Sequence, residues 1–189
     1  ATEQNCNAAY INSTDSSAGN INISNSAVTA KSLYPGLFAA GNMTIDGGTL
    51  QATSTVNSPL WAKGNIAIRG KAKVTLSGEY PSGCNGNFTV YEAEIDAKNT
   101  SQNNIPALAD CPTINDDFAL TYAMAVDSEG TSIDLIEHDG AEQAKGFLHL
   151  YKNIHFITGE KTVTYSLPFT KVVKKGGDIA PGKQEFELE

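Results

Sequence analysis

Four groups of side chains in this 189-residue chain are of types that do chemistry. Asp134, Glu137, His138, Asp139 and Glu142 crowd into IleAspLeuIleGluHisAspGlyAlaGlu. Carboxylates so close together suit a Ca²⁺ site, and a carboxylate beside an imidazole suits proton transfer. The simpler reading of the same residues is a solvated acidic turn around Asp139-Gly140. His149 and His155 flank LeuTyrLysAsnIle and read as strand-face histidines, because a metal needs further ligands at fixed geometry. Cys6, Cys84 and Cys111 make an odd count, too widely spaced for zinc. Either one disulfide forms and one thiol stays free, Cys84–Cys111 closing the shortest loop, or all three stay reduced. The fourth group is aromatic. Tyr34, Phe38, Trp61 and Tyr80 are candidate platforms for stacking on sugars. Phe38 and Trp61 hold equivalent places in a repeat, so a structural stack is the competing reading. The spacings GxSxG, HExxH and the P-loop are all missing. No catalytic residue, cofactor site or metal site is assigned.

The elements that would position these groups show themselves as a repeat. Gly19-Asn20-Ile21-Asn22-Ile23 returns as Gly41-Asn42-Met43-Thr44-Ile45, Gly64-Asn65-Ile66-Ala67-Ile68 and Gly86-Asn87-Phe88-Thr89-Val90. Each copy reads Gly-Asn, apolar, small, apolar, and the interval is about 22 residues. Downstream, Val28/Ala30, Leu50/Ala52 and Ile95/Ala97 align, with Val74/Leu76 slipped by one residue. The period-two alternation marks strands with one buried face. A unit this short cannot bury that face alone, but stacked on its copies it builds a continuous core. The expected fold is therefore all-β: a parallel β-helix or solenoid of about four to six coils with a β-rich C-terminal cap. It is right-handed by the crossover rule. Ile21, Met43, Ile66 and Phe88 form one interior ladder, and Ile23, Ile45, Ile68 and Val90 the next. Gly19, Gly41, Gly64 and Gly86 are read as corners using φ > 0, with the following asparagines stacked as an amide ladder. This removes the glycine-rich stretch around Gly41–Gly48 as a phosphate loop, which would need a following helix.

Three parts follow. Residues 1–98 are the solenoid and 99–164 an irregular β extension or cap, with 98–116 leaving the coil. Residues 165–189 are a C-terminal β segment. Within the second part, strands are expected at 118–126, 132–136, 146–157 and 161–170.

The net charge is −8 and Arg69 is the only arginine, which argues against nucleic-acid binding. No apolar run is long enough to span a bilayer, so no membrane insertion is expected. The polar load falls on Asn, Ser, Thr and Gly rather than on charge, which suits an exported β protein. The polar start Ala1-Thr2-Glu3-Gln4-Asn5 is consistent with a mature or trimmed form of a secreted precursor.

The stretch PheThrLysValValLysLysGlyGly, followed by AlaProGlyLysGlnGluPheGluLeu, resembles the opening of the pilin isopeptide-linkage domain of Gram-positive surface proteins. The resemblance implies that Lys171 is the lysine that bonds to an asparagine on the family's last strand. That strand is not among these 189 residues, so the bond is not expected within this chain. The repeat is similar to β-helix segments of large bacterial surface adhesins. Together these imply a non-catalytic extracellular module of a bacterial cell-surface or cell-wall protein, adhesin-like or for structural display, and a host or cell-wall glycan or protein as partner. The alternatives are a carbohydrate-binding β-helix and, behind it, a relative of glycan-active lyases or hydrolases.

Overall fold

The computed structural model describes residues 9–11, 19–127 and 129–161; the side chains of 9–11 are left aside. Cys6, Lys171 and the segment 165–189 lie outside the described residues, as does the strand expected at 161–170 apart from Lys161.

The chain winds through three short strands per repeat. In order these are β1 (Ala9–Ile11), β2 (Ile21–Ser24), β3 (Ala27–Ser32), β4 (Leu37–Ala39), β5 (Met43–Asp46), β6 (Thr49–Ser54), β7 (Leu60–Ala62), β8 (Ile66–Arg69), β9 (Ala72–Gly78), β10 (Gly83–Cys84), β11 (Phe88–Val90) and β12 (Ala93–Asn99). There follow β13 (Thr113–Ile114), β14 (Phe118–Val126), β15 (Ser132–Asp134), α1 (Leu135–Asp139), α2 (Ala141–Ala144), a 3-10 turn at Lys145–Phe147 and β16 (Asn153–Glu160). Each strand from β1 to β13 pairs in parallel with its equivalent in a neighbouring repeat. The first sheet runs β1-β4-β7-β10, the second β2-β5-β8-β11-β13, and the third β3-β6-β9-β12, continued by β16-β14-β15. This is a parallel β-solenoid of about four turns with a β-rich C-terminal addition.

Register carries the core. Ile21 lies beside Met43, Met43 beside Ile66 and Ile66 beside Phe88. Ile23, Ile45, Ile68 and Val90 form the next ladder, and Ile114 extends it. Met43, Ile45, Ile66, Ile68 and Val90 have no exposed surface. The third sheet adds the inward row Leu50–Val74–Ile95 and the first adds Leu37–Leu60. The one-residue slip is real: Leu50 pairs with Val74 and Ala52 with Leu76. The extra residue is taken up at the corner between β8 and β9, where Gly70 and Lys71 have φ of 68° and 61°.

The glycine of the Gly-Asn pair does a different job from the one expected. Gly19 has φ 96°, but Gly41, Gly64 and Gly86 are not in the left-handed region. Gly64 and Gly86 are needed for close approach. A Cβ on Gly64 would stand 2.4 Å from Asn42 Oδ1 and 2.8 Å from the Gly41 carbonyl oxygen, and Gly86 repeats this against Asn65 and Gly64. The left-handed corner is the second one, at Asn25 (45°), Gly47 (71°) and Gly48 (72°). The asparagines do form a ladder, but of side chain to backbone: Asn42, Asn65 and Asn87 N–H donate to Oδ1 of Asn20, Asn42 and Asn65 at 2.7–2.8 Å.

Past β12, parallel pairing does not stop at 98. Ser82 bridges Leu108, Thr89 pairs with Thr113 and Val90 with Ile114, so a partial fifth rung forms across 98–116. Then the pairing changes from parallel to antiparallel. β16 pairs antiparallel with both β12 and β14, which matches the strand expected at 118–126 residue for residue. Two other expected strands are shorter. The one from Ser132 ends at Asp134, because Asp134 Oδ1 accepts from Ile136 and Glu137 N–H and starts α1. The one from Gly146 begins only at Asn153, after α2 and the 3-10 turn. Leu135, Ala144 and Leu148 from this helical stretch are buried against the sheet.

Candidate functional site

The feature with the most to offer a ligand is on the outside of the first sheet. Its two middle strands, β4 and β7, are three residues long and alternate buried, half-buried, buried. Leu37 and Ala39, like Leu60 and Ala62, go inward, so Phe38 and Trp61 must go out. Register sets Phe38 beside Trp61 and Trp61 beside Gly83. The glycine matters here for space. A Cβ on Gly83 would lie 2.8 Å from Ala109 Cβ and 3.4 Å from Trp61 Cζ3.

The neighbouring corner walls this row off. It is tied from rung to rung: Leu37 N–H donates to the Pro59 carbonyl at 3.0 Å, and Ala109 N–H to that of Ser82 at 2.9 Å. Asn57 Oδ1 accepts from Ser58 N–H at 2.7 Å, which fixes the turn and leaves its amide NH₂ to donate. The result is a groove of about 480 Å³ lined by Pro35, Phe38, Asn57, Ser58, Trp61, Tyr80, Pro81 and Ala109. None of these is a carboxylate or a cation. Tyr80 is 55% exposed. Lys63 Nζ lies 5.9 Å from the Phe38 ring centroid, at the outer reach of a cation–π contact. The structure thus brings together three of the four sequence candidates. Tyr34 is also exposed but does not line the groove.

A second, charged groove of about 230 Å³ runs over the third sheet. Lys73 Nζ reaches Glu94 Oε2 at 3.0 Å, and His155 Nε2 stands 3.2 Å from Glu94 Oε1. The Tyr122 and His155 rings meet edge to face at 5.0 Å. The Lys73 hydrogen bond, helped by His155 and by both charges, holds the Glu94 carboxyl below its usual range; partial burial opposes this. Sequence reading missed this group because Glu94 and His155 are 61 residues apart. The available signal was the alternation Glu94-Ile95-Asp96, which puts two carboxylates on one face.

The acidic segment 134–142 is not a turn but the two short helices. Asp134, His138, Asp139 and Glu142 each have a local use. Asp134 caps α1, His138 Nδ1 meets Asp139 Oδ1 at 2.8 Å, and Glu142 meets Lys145 at 2.7 Å. Gly140, with φ 79°, joins the helices. Among the described residues, no three His, Cys, Asp or Glu side chains come together as a metal site. His155 faces outward on β16, whereas His149 precedes that strand and is not on it. Cys84 and Cys111 are not bonded to each other: both are free thiols. Burial pushes both thiols up, away from the reactive thiolate. Cys111 donates to the Lys145 carbonyl at 2.8 Å.

The chain matches no protein-family model, no curated protein and no solved structure.

Proposed function

We propose that this chain is a non-catalytic extracellular module of a bacterial cell-surface protein, an adhesin-like rod whose contact face is the aromatic groove. One observation carries the reading. Phe38, Trp61 and Tyr80 stand at least partly in solvent around an uncharged groove of about 480 Å³, on a scaffold whose every rung is bonded to the next. Large aromatic side chains left at a surface are a costly placement unless something covers them, and clustering marks an interaction site. A parallel stack supplies the rest: it is stiff along its axis and holds the groove at a fixed shape. The C-terminal resemblance supports a Gram-positive wall or surface location, and by that resemblance Lys171 is the isopeptide lysine.

The test is adhesion. The intact chain, immobilised, should retain glycan-coated or host-protein-coated beads, and Trp61→Ala should release them without changing the circular dichroism spectrum. Retention that survives both Trp61→Ala and Tyr80→Ala would remove the groove from the reading.

A further inference from the structure

Building on the adhesive reading of the groove, we propose that its ligand is an uncharged glycan lying along the solenoid axis, with successive pyranose rings passing from Phe38 over Trp61 toward Ala109. The lining has no ionisable carboxylate or ammonium group, although the chain carries a net charge of −8 and the third sheet displays Lys73, Glu94, Asp96 and Lys98. The groove wall itself has no cation to pair with a uronate or sulfate, Lys63 lying outside the lining and 5.9 Å from the Phe38 ring centroid, and the chain's net charge of −8 disfavours an anion. Its polar groups are an amide, a hydroxyl and a phenol, from Asn57, Ser58 and Tyr80. These exchange hydrogen bonds with sugar hydroxyls, which both donate and accept.

Geometry sets the direction. Phe38, Trp61, Gly83 and Ala109 occupy successive rungs, three steps of about 4.8 Å, or roughly 14 Å in all. Phe38 and Trp61 form an aromatic shelf, Trp61 and Ala109 close over Gly83, and Ala109 carries the groove floor onward, with Tyr80 and Pro81 as its wall. A flat pyranose face with axial hydrogens stacks on such a shelf, and the next ring lies over Ala109 against Tyr80 and Pro81. A proline-rich peptide also stacks on aromatic rings, but the donor-and-acceptor lining suits hydroxyls better than carbonyls, which only accept.

Trp61 is the only tryptophan, so its emission reads the groove directly. The intact chain is titrated with cellohexaose, chitohexaose, hexagalacturonate and decaproline. Expected is a change in Trp61 emission with cellohexaose or chitohexaose that added salt does not weaken. Calorimetry should then show about tenfold weaker binding for Tyr80→Ala, the loss of one stacking ring, and unchanged binding for Asp96→Asn on the third sheet. Tyr80 is the most exposed of the three rings, so its removal spares the fold. A response to hexagalacturonate alone overturns the uncharged class but keeps the adhesive groove. A response to decaproline alone overturns this proposal in favour of a peptide partner. Silence toward all four overturns the glycan, and bead retention through Trp61 would then leave a protein-binding groove standing.

Discussion

The solenoid and its C-terminal addition solve the same problem in opposite ways. In the solenoid a strand's neighbour is its own equivalent about one repeat away, so like stacks on like: Ile23 on Ile45, Ile45 on Ile68, Ile68 on Val90. In the addition the neighbours are unlike. Phe156 on β16 sits between Ile95 of the last full rung and Ala123 of β14, in antiparallel pairing. Stacked repeats interact only with their neighbours, which makes the solenoid a one-dimensional array. Such an array leaves an open strand edge at each end, and open edges invite further pairing. The addition deals with one of them: β16 closes the edge of β12, and β14 with its short partner β15 carries the sheet outward. Repetition therefore supplies extent, and the break in repetition supplies a stop.

The largest expected effect comes from breaking a ladder in its middle. Ile45→Asp puts a carboxylate at a site with no exposed surface, between Ile23 and Ile68. No partner is within the ladder to receive the charge, so a loss of about 4 kcal/mol or more is expected, enough to unfold most single domains. Melting followed by far-ultraviolet circular dichroism checks this; a melting curve like that of the unmodified chain would contradict the inward placement. Phe156→Ala is the matching cut in the addition. It removes a fully buried ring and should cost about 3–5 kcal/mol. Here the pattern of loss is the informative part. If the solenoid supports itself, hydrogen exchange should speed up in β14 and β16 while β5 and β8 stay protected. Uniform loss of protection would show that the two regions melt as one.

A subtler contrast uses one change in both regions. Gly64→Ala drives a Cβ to within 2.8 Å of the Gly41 carbonyl, and backbone cannot swing aside. It should cost about 1–3 kcal/mol by overpacking. Gly146→Ala, in the 3-10 turn, meets nothing within 4 Å. It should be neutral or stabilise by about 0.5 kcal/mol through the unfolded chain. Gly64→Ala should therefore lower the melting temperature, and Gly146→Ala should leave it unchanged or raise it slightly.

The same contrast explains what sequence could reveal. Ile21, Met43, Ile66 and Phe88 were legible as one ladder because the repeat states its register four times over. The strand at 118–126 was legible as a mainly apolar run unbroken by glycine or proline. The short helices were not, since Leu135–Asp139 and Ala141–Ala144 are too brief to show a helical period, although Asp134 in its capping place was a signal. The partial fifth rung was hidden because Thr113–Ile114 is two residues long and follows Pro112. The Gly-Asn rule was visible but its cause was not: whether glycine serves a dihedral angle or a close approach depends on what lies on the rung below. The groove was half visible. Phe38 and Trp61 align by repeat, whereas Pro81 and Ala109 join them only once the chain is wound.

The smallest expected effect lies where the two regions meet. β12 is the last long solenoid strand and the first partner of β16, and Glu94 on it is held from both sides, by Lys73 of the solenoid and His155 of the addition. Its folded pKa lies below the unfolded one, so the stabilisation is present above the ordinary carboxylate value and is lost as pH falls through the lower, folded value. The side chain is one-third exposed, so solvent screens the pair and the contribution should be about 0.5 kcal/mol or less. Thr158 holds the same junction without charge, donating to the Tyr91 carbonyl and accepting from Ala93 N–H. Glu94→Gln should therefore shift the melting temperature slightly at about pH 6 and less at about pH 3, because the wild-type carboxyl takes up its proton as pH falls through its lowered folded value. An equal shift at both values would assign the effect to packing at the junction, and the ion pairs would then have no part in joining the two regions.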